Sequence, residues 1–163
     1  MNIRTGTIQT DNIASTLKSI TDIAESCGSS VVIIDATKVA GIRHIEAAVA
    51  HAQRSFSSGT AIARTLPMEI LVYVSGQRQC SCAAKFGLHT GLNTVYAVIE
   101  GGDEEKTAEL LRKDILTEGP ACPAENAILM QEFEITPEEL AVVGADRIEE
   151  LVIERVALVD AGK

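Results

Sequence analysis

The chain has 163 residues, 46% of them hydrophobic but only 3% aromatic and none tryptophan, so an aliphatic core in one compact domain, 1–163, is expected. No run approaches the roughly 20 apolar residues that cross a bilayer, and the opening MNIRTGTIQT lacks the pattern of a secretory leader; the expectation is a cytoplasmic protein without membrane association. A net charge of −9 argues against a general polyanion binder, because such binding rests on neutralising phosphates.

In chain order, Ile3–Ile8 is a strand candidate. Asp11 or Asn12 caps a helix whose apolar positions Ile13, Leu17, Ile20, Ala24 and Cys27 follow helical spacing, with Gly28 as its stop. Ser30–Ala36, SVVIIDA, is an uninterrupted β-branched run and reads as a central strand. Gly41–Gly59 reads as an amphipathic helix. Ile45, Ala48, Val49, Ala52 and Phe56 form its apolar stripe, with His44 and His51 at the stripe's borders. Thr94–Glu100 is a second firm strand. Asp103 caps the helix that follows, and Glu104 and Glu105 in its first turn disfavour a phosphate site there. Ala127–Ile135 reads as a third strand. The remainder reads as helical, with Pro137 at a helix start, a break near Gly144, and Ile148, Leu151, Val152, Val156 and Val159 as its apolar side. The fold class is therefore α/β (α+β): a small mixed sheet of three to four strands covered by about six helices.

Charge is unevenly spread. Residues 38–85 hold six Lys/Arg (Lys38, Arg43, Arg54, Arg64, Arg78, Lys85) against Glu46 and Glu69. Every other part of the chain is acidic on balance. Such a block is either a local anion-binding face or an ordinary solvated surface. Within it lies MEILVYVSGQRQCSCAAKFGL, from Met68 to Leu88. By composition Ile70–Val74 is a strand. A short helix follows, with Ser75 as cap, Gly87 as stop, and Cys80, Ala83 and Ala84 inward. Gln77, Arg78 and Lys85 then reach outward, and a guanidinium beside amides at a helix start can grip phosphate or carboxylate. The competing reading is a glycine hinge with Arg78 paired to an acid.

Metal and redox chemistry find little support. None of Cys27, Cys80, Cys82 and Cys122 forms a CxxC pair. On a helix Cys80 and Cys82 would point about 200° apart. His44 and His51 are two turns apart, not the i, i+4 pair of a zinc site. No cofactor and no metal is expected. The chain has no P-loop, no nucleophile elbow and no dinucleotide fingerprint.

The stretch RTLPMEILVYVSGQRQCSCAAKFGL resembles the hallmark of the kinase-binding subunit of KEOPS, in its archaeal form. Met68, Glu69, Ile70, Leu71, Ser75, Gly76, Arg78, Gln79, Ala83 and Gly87 match; Cys80 stands where the family has an apolar residue. DATKVAGIRHIEAAVAHAQRSF is similar to the family's helix after the central strand, with Asp35, Gly41, His44 and Ala48 in register, and LVIERVALVD to its C-terminal helix. The resemblance implies that Ile70–Val74 is helical, overriding its strand-like composition. It also implies a non-catalytic, regulatory subunit of the complex that installs threonylcarbamoyladenosine in tRNA. Such a subunit binds and supports a kinase-like ATPase, captures the 3′ CCA end of tRNA and associates indirectly with the carbamoyltransferase. Arg78 and Gln79, with Gln77, are the first candidates for tRNA contact; Lys38, Arg43, His44 and Arg64 follow by charge and position. Ile153, Leu158, Val152 and Arg155 are the candidate kinase-facing residues on the last helix. The alternative is a small α/β metabolic enzyme using Asp35 and His44 as an acid–base pair at a strand end.

Overall fold

The computed structural model describes residues 1–162. Over these residues the fold is mixed α+β: a four-stranded antiparallel sheet and eight helices. The chain divides into two compact units, each built from two separate stretches: residues 1–36 with 87–121, and residues 37–86 with 122–163.

The first unit holds the sheet. Strands β1 (Asn2–Thr10), β2 (Ser30–Asp35), β3 (Gly91–Glu100) and β4 (Thr117–Glu118) lie in the order β2-β3-β1-β4. Asp35 sits opposite Val95, Ser30 opposite Glu100, and Thr10 opposite Gly91. Alternate residues Val31, Ile33, Val95, Ala97 and Ile99 form one sheet face. They cluster with Ile20 and Ala24 of α1 (Ile13–Ser26) and with Ala108 and Leu111 of α5 (Glu104–Asp114). The alternate set Val32, Ile34, Tyr96 and Val98 is also buried. Burial on both faces explains why β2 and β3 are continuous apolar runs rather than alternating ones. The caps act as the sequence predicts: Asn12 accepts from Ser15 N–H, and Asp103 from Lys106 N–H.

The second unit is helical: α2 (Ile42–Ser57), α3 (Leu66–Ser75), α4 (Cys80–Ala83), α6 (Asn126–Glu132), α7 (Pro137–Val143) and α8 (Ile148–Ala161), with 3₁₀ turns at Ala84–Phe86 and Ala145–Arg147. Helix α3 follows the family resemblance rather than composition. Ile70–Val74 are all buried, and a fully buried helix shows no periodicity to separate it from a strand. Its start is nonetheless written in sequence: Thr65 accepts from Met68 N–H, and Pro67 stands in the first turn.

Four local expectations are corrected. Residues 127–135 are not a strand; Asn126–Glu132 is helix α6, and buried Leu129 and Phe133 recur at helical spacing. Ser75 ends α3 instead of capping the next helix, and Gly76 terminates α3 at φ 66, the left-handed conformation glycine adopts without strain. In the α2 stripe Phe56 is exposed and His44 buried, while Ala84 is exposed rather than inward. Short β4 leaves no apolar pattern in the sequence. Among the described residues, no helix is long and apolar enough to cross a membrane.

Candidate functional site

Every residue singled out for tRNA or kinase contact belongs to the second unit. Polar side chains fix its helices against one another. Glu69 of α3 is fully buried. Its carboxylate accepts from Ser55 Oγ of α2 at 2.9 Å and from the backbone N–H groups of Ile62 (3.0 and 3.1 Å) and Ala63 (2.7 Å). These bonds tie down the loop that carries Arg64. At the other end of α3, Tyr73 Oη donates to Asp160 Oδ1 of α8 at 2.5 Å, and His51 Nδ1 of α2 lies 2.6 Å from Asp160 Oδ2. The His51 ring stacks on Tyr73, so α2, α3 and α8 meet at one carboxylate.

The start of α2 is completed from far along the chain. Gly41, at φ 153, supplies no side-chain cap; Glu149 Oε1 of α8 instead accepts from His44 N–H at 3.1 Å. A Cβ on residue 41 would meet that oxygen at 2.8 Å. Glycine there serves both the backbone conformation and the approach of the carboxylate.

His44 is no surface residue. It is fully buried. Its Nδ1 accepts from Ala40 N–H at 3.1 Å, which makes Nε2 the protonated nitrogen, donating to Val74 O at 2.8 Å. Phe133 packs edge-on against the ring. Burial pushes its pKa down to about 4, opposed by the bond to Val74. The expectation that His44 contacts tRNA is corrected: its ring does not reach solvent. The acid–base alternative fails on the same ground, because both ring nitrogens are committed to the backbone. Asp35 is itself buried, with His89 Nδ1 3.9 Å from its Oδ2.

The cationic block divides. Lys38 Nζ pairs with Glu132 at 3.6 Å, donates to Lys85 O at 3.2 Å and lies over the Phe86 ring. Arg54 Nη2 lies 3.1 Å from His51 Nδ1. Arg43, Arg64, Arg78 and Lys85 are exposed and, among the described residues, have no hydrogen bond or ion pair through their side chains. The fold also joins this block to the acidic stretch 122–163, so the second unit as a whole is not basic: nine Lys/Arg face twelve Asp/Glu.

Arg78 follows the turn at Gly76, and its guanidinium lies where a Cβ on Gly162, just past α8, would fall. It lines a cleft of about 160 Å³ with Ser75, Gly76, Gln77, Phe133, Glu134, Arg155, Leu158 and Val159. First-rank RNA candidates and kinase-facing candidates therefore share one depression. Gln79 is exposed and accepts from the Cys82 thiol. Leu158 is 52% exposed and Ile153 half-buried. Val152 is fully buried, so its assignment to a partner surface is corrected; it is core. Arg155 is engaged within the unit. It donates to Phe133 O and Glu134 O and grips the Glu139 carboxylate at 2.8 and 3.0 Å, holding that carboxyl below its ordinary pKa.

The four thiols are unpaired, and the described residues form no cluster able to hold a metal ion. Residues 8–160 match the family model for kinase binding protein CGI-121. The chain belongs to this family. This is the family whose motif the Met68–Gly87 stretch resembles, and the match runs through both units. No curated protein matches the chain. Sequence reading of this CGI-121 family member missed Glu134, the Glu69 cage, the Glu149 cap and the Asp160 junction. Only Glu69 carried a signal, as an acid inside an apolar helix.

Proposed function

We propose that this CGI-121 family member is a non-catalytic regulatory subunit of an archaeal-type KEOPS complex. It docks on the kinase-like ATPase, supports its activity and holds the 3′ CCA end of tRNA, and so meets the carbamoyltransferase only indirectly. Kinase binding follows from the family. The RNA role is supported by one observation above all: Arg78, in the family motif, is exposed and unpaired among the described residues at a cleft it shares with Gln77, Glu134, Arg155 and Leu158. A guanidinium paired to no carboxylate among the described residues is available to a phosphate, and single-stranded ends are held by phosphate contacts together with base contacts. Arg43 and Arg64 supply further exposed charge. Leu158 and Ile153 supply apolar surface for the kinase.

Arg78→Glu tests the reading. At low salt it should weaken tRNA binding at least tenfold while leaving the melting temperature unchanged; unaltered affinity would remove the RNA role. Leu158→Asp should reduce co-purification with the kinase-like subunit.

A further inference from the structure

Gly162 follows the last turn of α8 at φ −103 and ψ 4, with its N–H returned to the carbonyls of Val159 and Asp160. Nothing in that backbone calls for glycine. Cys27 ends α1 at φ −108 and ψ 2, and Phe133 ends α6 at φ −105 and ψ 9. Both carry side chains in the same conformation. A helix end needs glycine when φ turns positive, as it does at Gly76. At 162 glycine only adds freedom to the unfolded chain, which alanine would restrict. The reason for it lies in space. The three atoms nearest to a Cβ built on residue 162 all belong to the Arg78 guanidinium, and Nη2 occupies the Cβ position itself. A side chain at 162 and the present course of Arg78 exclude each other.

Both partners stand on fixed backbone. Asp160, two residues before Gly162, is held by Tyr73 of α3 at 2.5 Å and by His51 of α2 at 2.6 Å. Arg78 comes two residues after the left-handed turn at Gly76, and the intervening Gln77 N–H is bound to Ser75 Oγ at 3.0 Å. The last carbonyls of a helix carry partial negative charge, which favours a cation beside them. The guanidinium makes no hydrogen bond or ion pair among the described residues, so its N–H donors stay available. We infer that Gly162 is the positioning residue for Arg78: by carrying no side chain it lets the guanidinium lie across the end of α8, and Arg78 meets RNA phosphate from there. A side chain at 162 turns Arg78 away and leaves the helix undisturbed, because only the far end of a flexible arginine has to move. The inference rests on the RNA reading above and adds to it the residue that aims its principal cation.

The test follows binding of the full chain to a fluorescently labelled tRNA transcript by anisotropy over a series of salt concentrations, with thermal melts on the same proteins. Arg78→Ala should weaken binding about fivefold at low salt. It should also lower the slope of log K against log salt by about 0.7–0.9, the share of one phosphate contact. Gly162→Ala should weaken binding about twofold and Gly162→Val about fourfold, the latter with a similar loss of slope. Neither should lower the melting temperature. On an Arg78→Ala background neither should weaken binding further, since both act through the same guanidinium. Unaltered affinity in Arg78→Ala removes the RNA reading and this inference with it. A loss in Arg78→Ala with none in Gly162→Val overturns the role of Gly162 and leaves RNA binding standing. A loss in Gly162→Val that persists on the Arg78→Ala background, or that tracks a fall in melting temperature, gives residue 162 a contact or structural role of its own and overturns the inference as well.

Discussion

The two units differ in what they bury. In the first, the core is hydrocarbon packed between a sheet face and two helices, and the buried polar side chains are Thr10, Asp35, Asn93 and Thr107. Asn93 serves nearby backbone, donating to the carbonyls of Ile8, His89 and Gly91. The second unit buries His44, Ser55, Glu69 and Ser75, and three of these bridge helices: Ser55 to Glu69, His44 to Val74. The reason lies in the backbone. Strands find their hydrogen-bond partners in neighbouring strands, which fixes register at once. Helices satisfy themselves internally, so their relative placement falls to side chains. The unit that carries the candidate binding residues is thus the one whose helices are positioned by polar and ionisable groups, and it should respond to charge and acid more than the sheet unit does.

The sharpest way to break this contrast is Glu69→Ala. It leaves the Ser55 hydroxyl and the Ile62 and Ala63 N–H groups without their acceptor, a cost of roughly 3–5 kcal/mol read from urea unfolding. Ile99→Ala in the sheet core costs about 2–5 kcal/mol by cavity formation alone. The two should differ in exchange pattern: amides of α2 and α3 should lose protection first in Glu69→Ala. Uniform loss would count against the contrast.

Acid is the next probe. The folded pKa of His44, about 4, lies below the ordinary 6.5. The unfolded chain therefore takes up the proton first. This contribution is complete above pH 6.5 and is lost as pH falls to about 4, by about 3 kcal/mol. Denaturation at pH 7 and pH 4 measures it, and His44→Gln should flatten that part of the profile. Tyr73→Phe, which removes the hydroxyl bonded to Asp160, should cost about 1–2 kcal/mol in thermal melts. Smallest of all, Leu158→Ser should leave stability within about 0.5 kcal/mol, because the side chain is already half in water, while weakening capture of the kinase-like subunit.

Legibility in sequence followed the range of the interaction. Strands β2 and β3, helices α1, α2 and α5, and the apolar side of α8 are encoded by local period and caps, and they lie where the pattern puts them. Residues 127–135 misled because a short apolar run has no unambiguous period. Two-residue β4 exists only through its pairing with β1. The exposed cations Arg43, Arg64 and Arg78 were readable as such. His44 was not, since a histidine beside an apolar stripe turns inward only when a carbonyl from another helix awaits it. Glu134 was hidden because its conformation is set by the end of a helix that composition disguised as a strand.

The carboxylate that Glu149 offers to the first turn of α2 bears on how the molecule is made. The two residues it joins, His44 and Glu149, stand more than a hundred positions apart. During synthesis the sheet unit has all its strands once residue 121 has left the ribosome. Helix α2 must wait for nearly the whole polypeptide before its start is closed. Nascent chains halted before α8 should therefore show a protease-resistant sheet unit and a cleavable segment 37–86, so the helical unit is the last part to mature.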